Sequence, residues 1–265
     1  MAQPNHFLPP SRGFTLIELS IVLVIIGLLV GGVLVGRDLI QAAHLRQQVS
    51  QLERYSTAAQ TFKAKYGALP GDIAQNKRPD FGLRNDNIAF QPCPVNDGGI
   101  YACGGLVASG VETGLIYIEP ILFFYDLAFM NLIPDKINYS VYNALVTPGD
   151  TVPSLALHPE FGMVALTFQG RLGYYLGITP GFGNNWTWLD QHSSSGALSP
   201  LEASQLDGKL DDGIPSTGRV MAVMSTELGI PIYADTTTQC VADATAKAYA
   251  NTDTPAMCRM FIAAW

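Results

Sequence analysis

Residues 14–36 run for 23 positions through Phe, Leu, Ile, Val, Gly, Ser and Thr with one charge among them, Glu18. As an α-helix that length is about 34 Å at 1.5 Å per residue, enough to span the hydrocarbon core of a bilayer. A carboxylate near the end of such a helix is costly unless it is paired or held at the interface. A plain anchor gains nothing from carrying it. The segment therefore reads as a helix that waits in a membrane and later pairs Glu18 with another subunit.

The remaining length fits one head on that helix. The chain has 265 residues, and a long helix uses the excess over a typical single domain without requiring a second core. Its 15 Lys and Arg stand against 22 Asp and Glu, a formal net charge of -7. That balance lacks the positive field that draws in a phosphate backbone, so no nucleic-acid partner is expected.

The order of the N-terminal features excludes a general secretory signal. Such a signal places charge first, then a short apolar core, then the cleavage site. Here His6 and Arg12 precede Gly13, and the apolar run lies wholly beyond it. Cutting after Gly13 removes a leader of residues 1–13 and keeps the hydrophobic helix. Arg37 marks the far interface. Arg12 is the leader's only fixed positive charge, so orientation is weakly specified by counting charges.

The run Ser11-Arg12-Gly13-Phe14-Thr15-Leu16-Ile17-Glu18-Leu19-Ser20 resembles the cleavage and methylation motif of type IV prepilins and type II secretion pseudopilins. The resemblance covers roughly residues 11–66. It implies a prepilin peptidase/N-methyltransferase that cuts after Gly13 on the cytoplasmic side and methylates the new amine of Phe14. It also implies that Glu18, fifth in the mature chain, neutralises the Phe14 amine of a neighbouring subunit during filament assembly. The implied partners are other pilin or pseudopilin subunits and an inner-membrane assembly platform. The implied location is the bacterial inner membrane, single-pass, with the head periplasmic and the assembled filament in the periplasm or at the cell surface.

Past the membrane the helix is expected to continue as an amphipathic half over 37–66. Leu45, Val49, Leu52, Ala59, Phe62 and Tyr66 recur mostly at three- and four-residue intervals, with Arg46, Gln47, Gln51, Glu53, Arg54 and Lys63 as the polar residues between them. Proline is absent from 14–69. Gly27, Gly31, Gly32 and Gly36 have small-xxx-small spacing and permit close backbone approach. Gly67 supplies a stop and Pro70-Gly71 a turn.

The head, 67–265, is expected to be α+β: a long N-terminal helix against a small antiparallel sheet. Residues 73–160 read as an insertion holding a helix over 119–132, started by Glu119 and Pro120 and ended by Pro134. Strands are expected at 163–168, 172–176 and 219–225, with Gly170 and Gly173 breaking the first two as a hairpin requires. Trp186 and Trp188 follow at strand spacing. Ser199-Pro200-Leu201-Glu202 reads as a capping box opening a helix that ends near Leu210.

Cys93, Cys103, Cys240 and Cys258 allow three pairings if the head is outside the cytoplasm. Nearest neighbours, Cys93–Cys103 and Cys240–Cys258, are favoured. The spacings do not form paired CxxC knuckles, which argues against zinc. A disulfide near the C-terminus also resembles the bounded loop of many pilins. Asp207, Asp211 and Asp212 offer hard oxygens to calcium, and some secretion pseudopilins bind calcium in this part of the head. The competing reading makes Asp211 or Asp212 a turn acceptor beside a permissive Gly213.

An enzyme is not expected. His44, His158 and His192 are scattered, Ser193–Gly196 reads as a polar loop, and GxSxG, HExxH, Walker A and dinucleotide signatures are absent. Tyr174, Tyr175, Trp186 and Trp188 suit core packing better than a carbohydrate surface. The expected function is a filament subunit. The rival from another class is a membrane-tethered binding module that never polymerises.

Overall fold

Uninterrupted helix-compatible sequence from Leu16 produces α1, Leu16–Tyr66. The computed structural model describes residues 14–73, 75–83, 119–138, 147–168, 170–178, 196–225, 231–233, 240–242, 247–250 and 258–264. The chain divides into two compact units, residues 1–43 and 44–265.

In the first unit α1 is largely apolar, and its large hydrophobic side chains from Leu16 to Ile40 lie open. Gly27, Gly31, Gly32 and Gly36 have open space where a Cβ would stand. This is one helix long and apolar enough to cross a membrane.

In the second unit α1 becomes one-faced. Leu45, Leu52, Tyr55, Ala58, Ala59 and Phe62 are buried, and Gln48 and Gln51 are buried with them. Gln51 therefore leaves the solvent face that the sequence suggests. Its Nε2 donates to the Ser154 carbonyl (2.8 Å) and the Tyr55 hydroxyl (3.1 Å), while Gln48 Oε1 accepts from Ala156 N–H (2.8 Å). A primary amide buried on a helix is tolerated when each polar atom has a partner.

α1 stops at Gly67, whose φ of +74° suits glycine and whose N–H donates to the Lys63 carbonyl. Pro70 and Gly71 then occupy the centre of a turn closed by Asp72 N–H to the Leu69 carbonyl, with Gly71 at φ +85°. Gly71 N–H donates to Asp126 on α2, Glu119–Phe129. The same carboxylate takes both guanidinium arms of Arg78 from a 3₁₀ turn, Gln75–Phe81. The pair is buried and fully engaged.

α2 ends three residues before the sequence suggests, well short of Pro134. Asn131 takes φ +54°; its N–H donates to the Ala128 carbonyl and that of Leu132 to Leu127. This is a Schellman closure, in which asparagine replaces the usual glycine. Phe123, Phe124 and Leu127 belong to the same core as Tyr55 and Phe62. Phe124 meets Tyr55 edge-on at 5.2 Å between centroids.

The strands are β1 Gly162–Phe168, β2 Arg171–Ile178, β3 Val220–Ser225, β4 Pro231–Tyr233 and β5 Arg259–Ala263. They form one sheet in the order β1-β2-β5-β3-β4, every pairing antiparallel. Phe168 pairs with Arg171 across a two-residue connection containing Gly170 at φ +73°. Gly173 is not part of that turn. It lies inside β2 opposite Ala263, where the Phe261 ring occupies the space of a side chain. Alternate residues face opposite layers: Met163, Ala165, Tyr174, Leu176, Ala222, Met260 and Ile262 join the α1–α2 core, while Val164, Tyr175, Met221, Val223 and Phe261 form a second one. A period of two with both faces buried defines a central sheet.

α3, Pro200–Leu210, begins with a complete capping box between Ser199 and Glu202. Before it, Leu198 bridges Cys258, and Cys258 is joined to Cys240 in a disulfide with Cα atoms 5.0 Å apart. The result is a pilin-like α+β arrangement: a long N-terminal helix, a small antiparallel sheet and a disulfide-linked region.

Candidate assembly site at the start of α1

Thr15 immediately precedes α1 and Glu18 is its third residue, so the two stand where a capping box forms. The Glu18 carboxylate accepts from Thr15 N–H (2.8 Å) and from the Thr15 hydroxyl (2.7 Å). Thr15 Oγ1 in turn accepts from Glu18 N–H (3.3 Å). Two otherwise unpaired donors of the first helical turn are thereby satisfied, and a negative group sits at the positive end of the helix dipole. Phe14, 84% exposed, stands beside this box with its ring free. Gly13 and Arg12 lie outside the described residues.

Thr15 is the residue that sequence reasoning missed. Its signal was present as Thr-x-x-Glu before an apolar run. Glu18 stands out in the sequence by its charge and by its place in the motif, with no local partner indicated.

The acidic segment after α3 is built differently. Asp207 is buried; one carboxylate oxygen accepts from Tyr249 hydroxyl (2.8 Å) and the other from Gly213 N–H (3.2 Å). Asp212 accepts from Ile214 N–H (2.9 Å) and Thr217 hydroxyl (2.6 Å). Asp211 accepts from Arg219 N–H and Val220 N–H. The three carboxylates do converge, with one oxygen of each within 4.8 Å of the others. Five of the six oxygens already serve protein donors, and Gly213 has φ +76°. The arrangement works as a set of turn acceptors. Burial pushes Asp207 up to about 6, opposed by the Tyr249 and Gly213 hydrogen bonds and assisted by Asp212 and Asp211. The hydrogen bonds from Thr217 and Ile214 hold Asp212 below the usual carboxylate range.

Other sequence candidates are dispersed. His44 is exposed on α1, and His158 is half-buried beside Glu202. Tyr174 and Tyr175 are buried on opposite faces of the sheet, which removes both from any carbohydrate-binding surface. Trp186, Trp188, His192, Ser193 and the pair Cys93 and Cys103 lie outside the described residues.

Residues 9–34 match the prokaryotic N-terminal methylation motif. That match spans the leader junction, the Thr15–Glu18 box and most of the apolar half of α1. No curated protein matches the chain, and no solved structure does. The motif is one that prepilins and pseudopilins carry, and here it coincides with the start of a helix long and apolar enough to cross a membrane.

Proposed function

We propose that the chain is made as a single-pass inner-membrane precursor, cytoplasmic at its N-terminus, cut after Gly13, methylated on Phe14 and extracted into a filament of pilin or pseudopilin subunits. The observation that carries this reading is the coincidence of the methylation motif over 9–34 with an apolar helix whose side chains are open and whose one acidic group in 14–36 is Glu18. Before assembly Thr15 satisfies that carboxylate. On joining the filament, Glu18 passes from Thr15 to the Phe14 amine of a neighbour, an opposite charge in a low-dielectric setting. A subunit at the wrong height leaves amine and carboxylate unpaired, which costs several kcal/mol, so the pair checks register. The inner-membrane platform supplies the work, and a carboxylate retained here suits a place in the filament body or beneath a tip complex.

Two measurements on the membrane-bound chain test this. Mass determination of the processed product should give a chain beginning at Phe14; any other start overturns the class. Single-cysteine variants along residues 20–40 should crosslink to neighbouring subunits and lose that crosslinking in Glu18→Ala, which should still insert, be cut and fold. Undiminished crosslinking in Glu18→Ala would show that Glu18 is not the assembly contact. Absence of neighbours in the parent would favour a tethered binding module instead.

A further inference from the structure

His158 lies on the segment that leads into β1, and its two ring nitrogens both face carboxylates. Nε2 is 3.2 Å from each oxygen of Glu202 on α3, and Nδ1 is 3.5 Å from Glu160 on its own loop. These are the charged groups that act on the ring among the described residues; Phe161 adds an edge-on aromatic contact. A neutral imidazole has one N–H and must turn a lone pair toward one of the two carboxylates. The imidazolium donates to both.

The loop that carries His158 is held at its other end by α1. Gln48 accepts from Ala156 and Leu157 N–H, and Gln51 donates to the Ser154 carbonyl. Within the loop, Leu155 N–H donates to the Phe161 carbonyl and Phe161 N–H to that of His158. Glu202, the acceptor, also closes the cap of α3 by accepting from Ser199 N–H (2.9 Å) and its hydroxyl (3.1 Å). One ring therefore joins the segment clamped to α1 with the helix start tied to the Cys240–Cys258 disulfide.

We propose that His158 is a pH-operated latch: protonated, it fastens residues 154–161 to the start of α3, and on losing its proton it lets that loop part from α3. The direction of the titration agrees. The hydrogen bond to Glu202 raises the imidazole above its ordinary value, partly opposed by burial and helped by the charges of Glu202 and Glu160. Because the folded value exceeds the unfolded one, the latch is fully closed below the ordinary histidine range and is lost as pH rises through the raised value. Nothing in this device depends on whether the chain polymerises.

The test uses the mature chain in detergent micelles. His158 is titrated by NMR, assigned by the signal missing in His158→Gln, and hydrogen exchange is followed at the amides of 154–161. Exchange in the parent is divided by that in His158→Gln at each pH, which removes the intrinsic pH dependence. The expected titration midpoint lies above 6.5 and falls in Glu202→Gln, which keeps an acceptor for the cap. The exchange ratio should climb by about tenfold for each unit by which the folded midpoint exceeds the ordinary value. A midpoint at or below 6.5, or parent and His158→Gln profiles that stay parallel, overturns the latch.

Discussion

At Asp207 a carboxylate is buried, accepts from Tyr249 and Gly213, and has Asp211 and Asp212 beside it. Burial raises its folded value from 3.8 to about 6, so between those two pH values the folded chain holds a proton that the unfolded chain has released. Stability must fall as pH rises through that window and change little from this source above it. Thermal unfolding of the parent and Asp207→Asn between pH 4 and 8 should show the parent losing stability across the window and the variant losing much less. Equal slopes would mean the side chain does not ionise there in the fold. Residue by residue, polar chemistry was the least legible part of the sequence. The charge of Glu18 was conspicuous because nothing else in the apolar run is charged, whereas Thr15 looked like one more small residue. Gln51 is polar by type and so suits a solvent face, and its burial depends on backbone partners at Ser154 and Ala156, about a hundred positions away. No local pattern announces such a partner.

Among the elements, those with strong local instructions were readable. α1 has unbroken propensity and a glycine stop, the β1–β2 hairpin has Gly170 in its connection, and α3 carries its capping box in four consecutive residues. β5 was missed because Arg-Met-Phe-Ile-Ala is buried along its whole length and so shows no alternation of polar and apolar residues. β4 is three residues long and gives no period at all. The role of Gly173 is illegible for a related reason, since its need comes from β5. A Cβ at that position would stand 2.5 Å from the Ile262 carbonyl oxygen and 2.7 Å from the Phe261 ring carbon Cε2. The backbone oxygen cannot step aside, so Gly173→Ala should destabilise the head by about 1–3 kcal/mol, the usual cost of overpacking. Chemical denaturation monitored by tyrosine and tryptophan fluorescence measures this, and a change under half a kilocalorie would show that β2 and β5 yield more easily than their register suggests.

On the scale of the molecule, the head is held by links between distant parts of the chain. The Cys240–Cys258 bridge spans a separation of 18 residues and fixes the segment that enters β5. Replacing both cysteines by serine should cost about 3 kcal/mol in unfolding free energy on the loop-entropy account, read as a lowered denaturation midpoint. A variant as stable as the parent would mean that the loop is already ordered without the bond. β5 itself pairs with β2 on one side and β3 on the other. Among the described residues the hairpin β1–β2 and the pair β3–β4 are therefore two half-sheets with no strand pairing to each other until residues 259–263 slide between them. For a chain delivered N-terminus first, the keystone arrives after every other described strand. Until that strand arrives the two half-sheets stay open and apolar. Completion of the sheet thus rests on its last strand, and a chain stopped before residue 259 leaves the two halves unjoined.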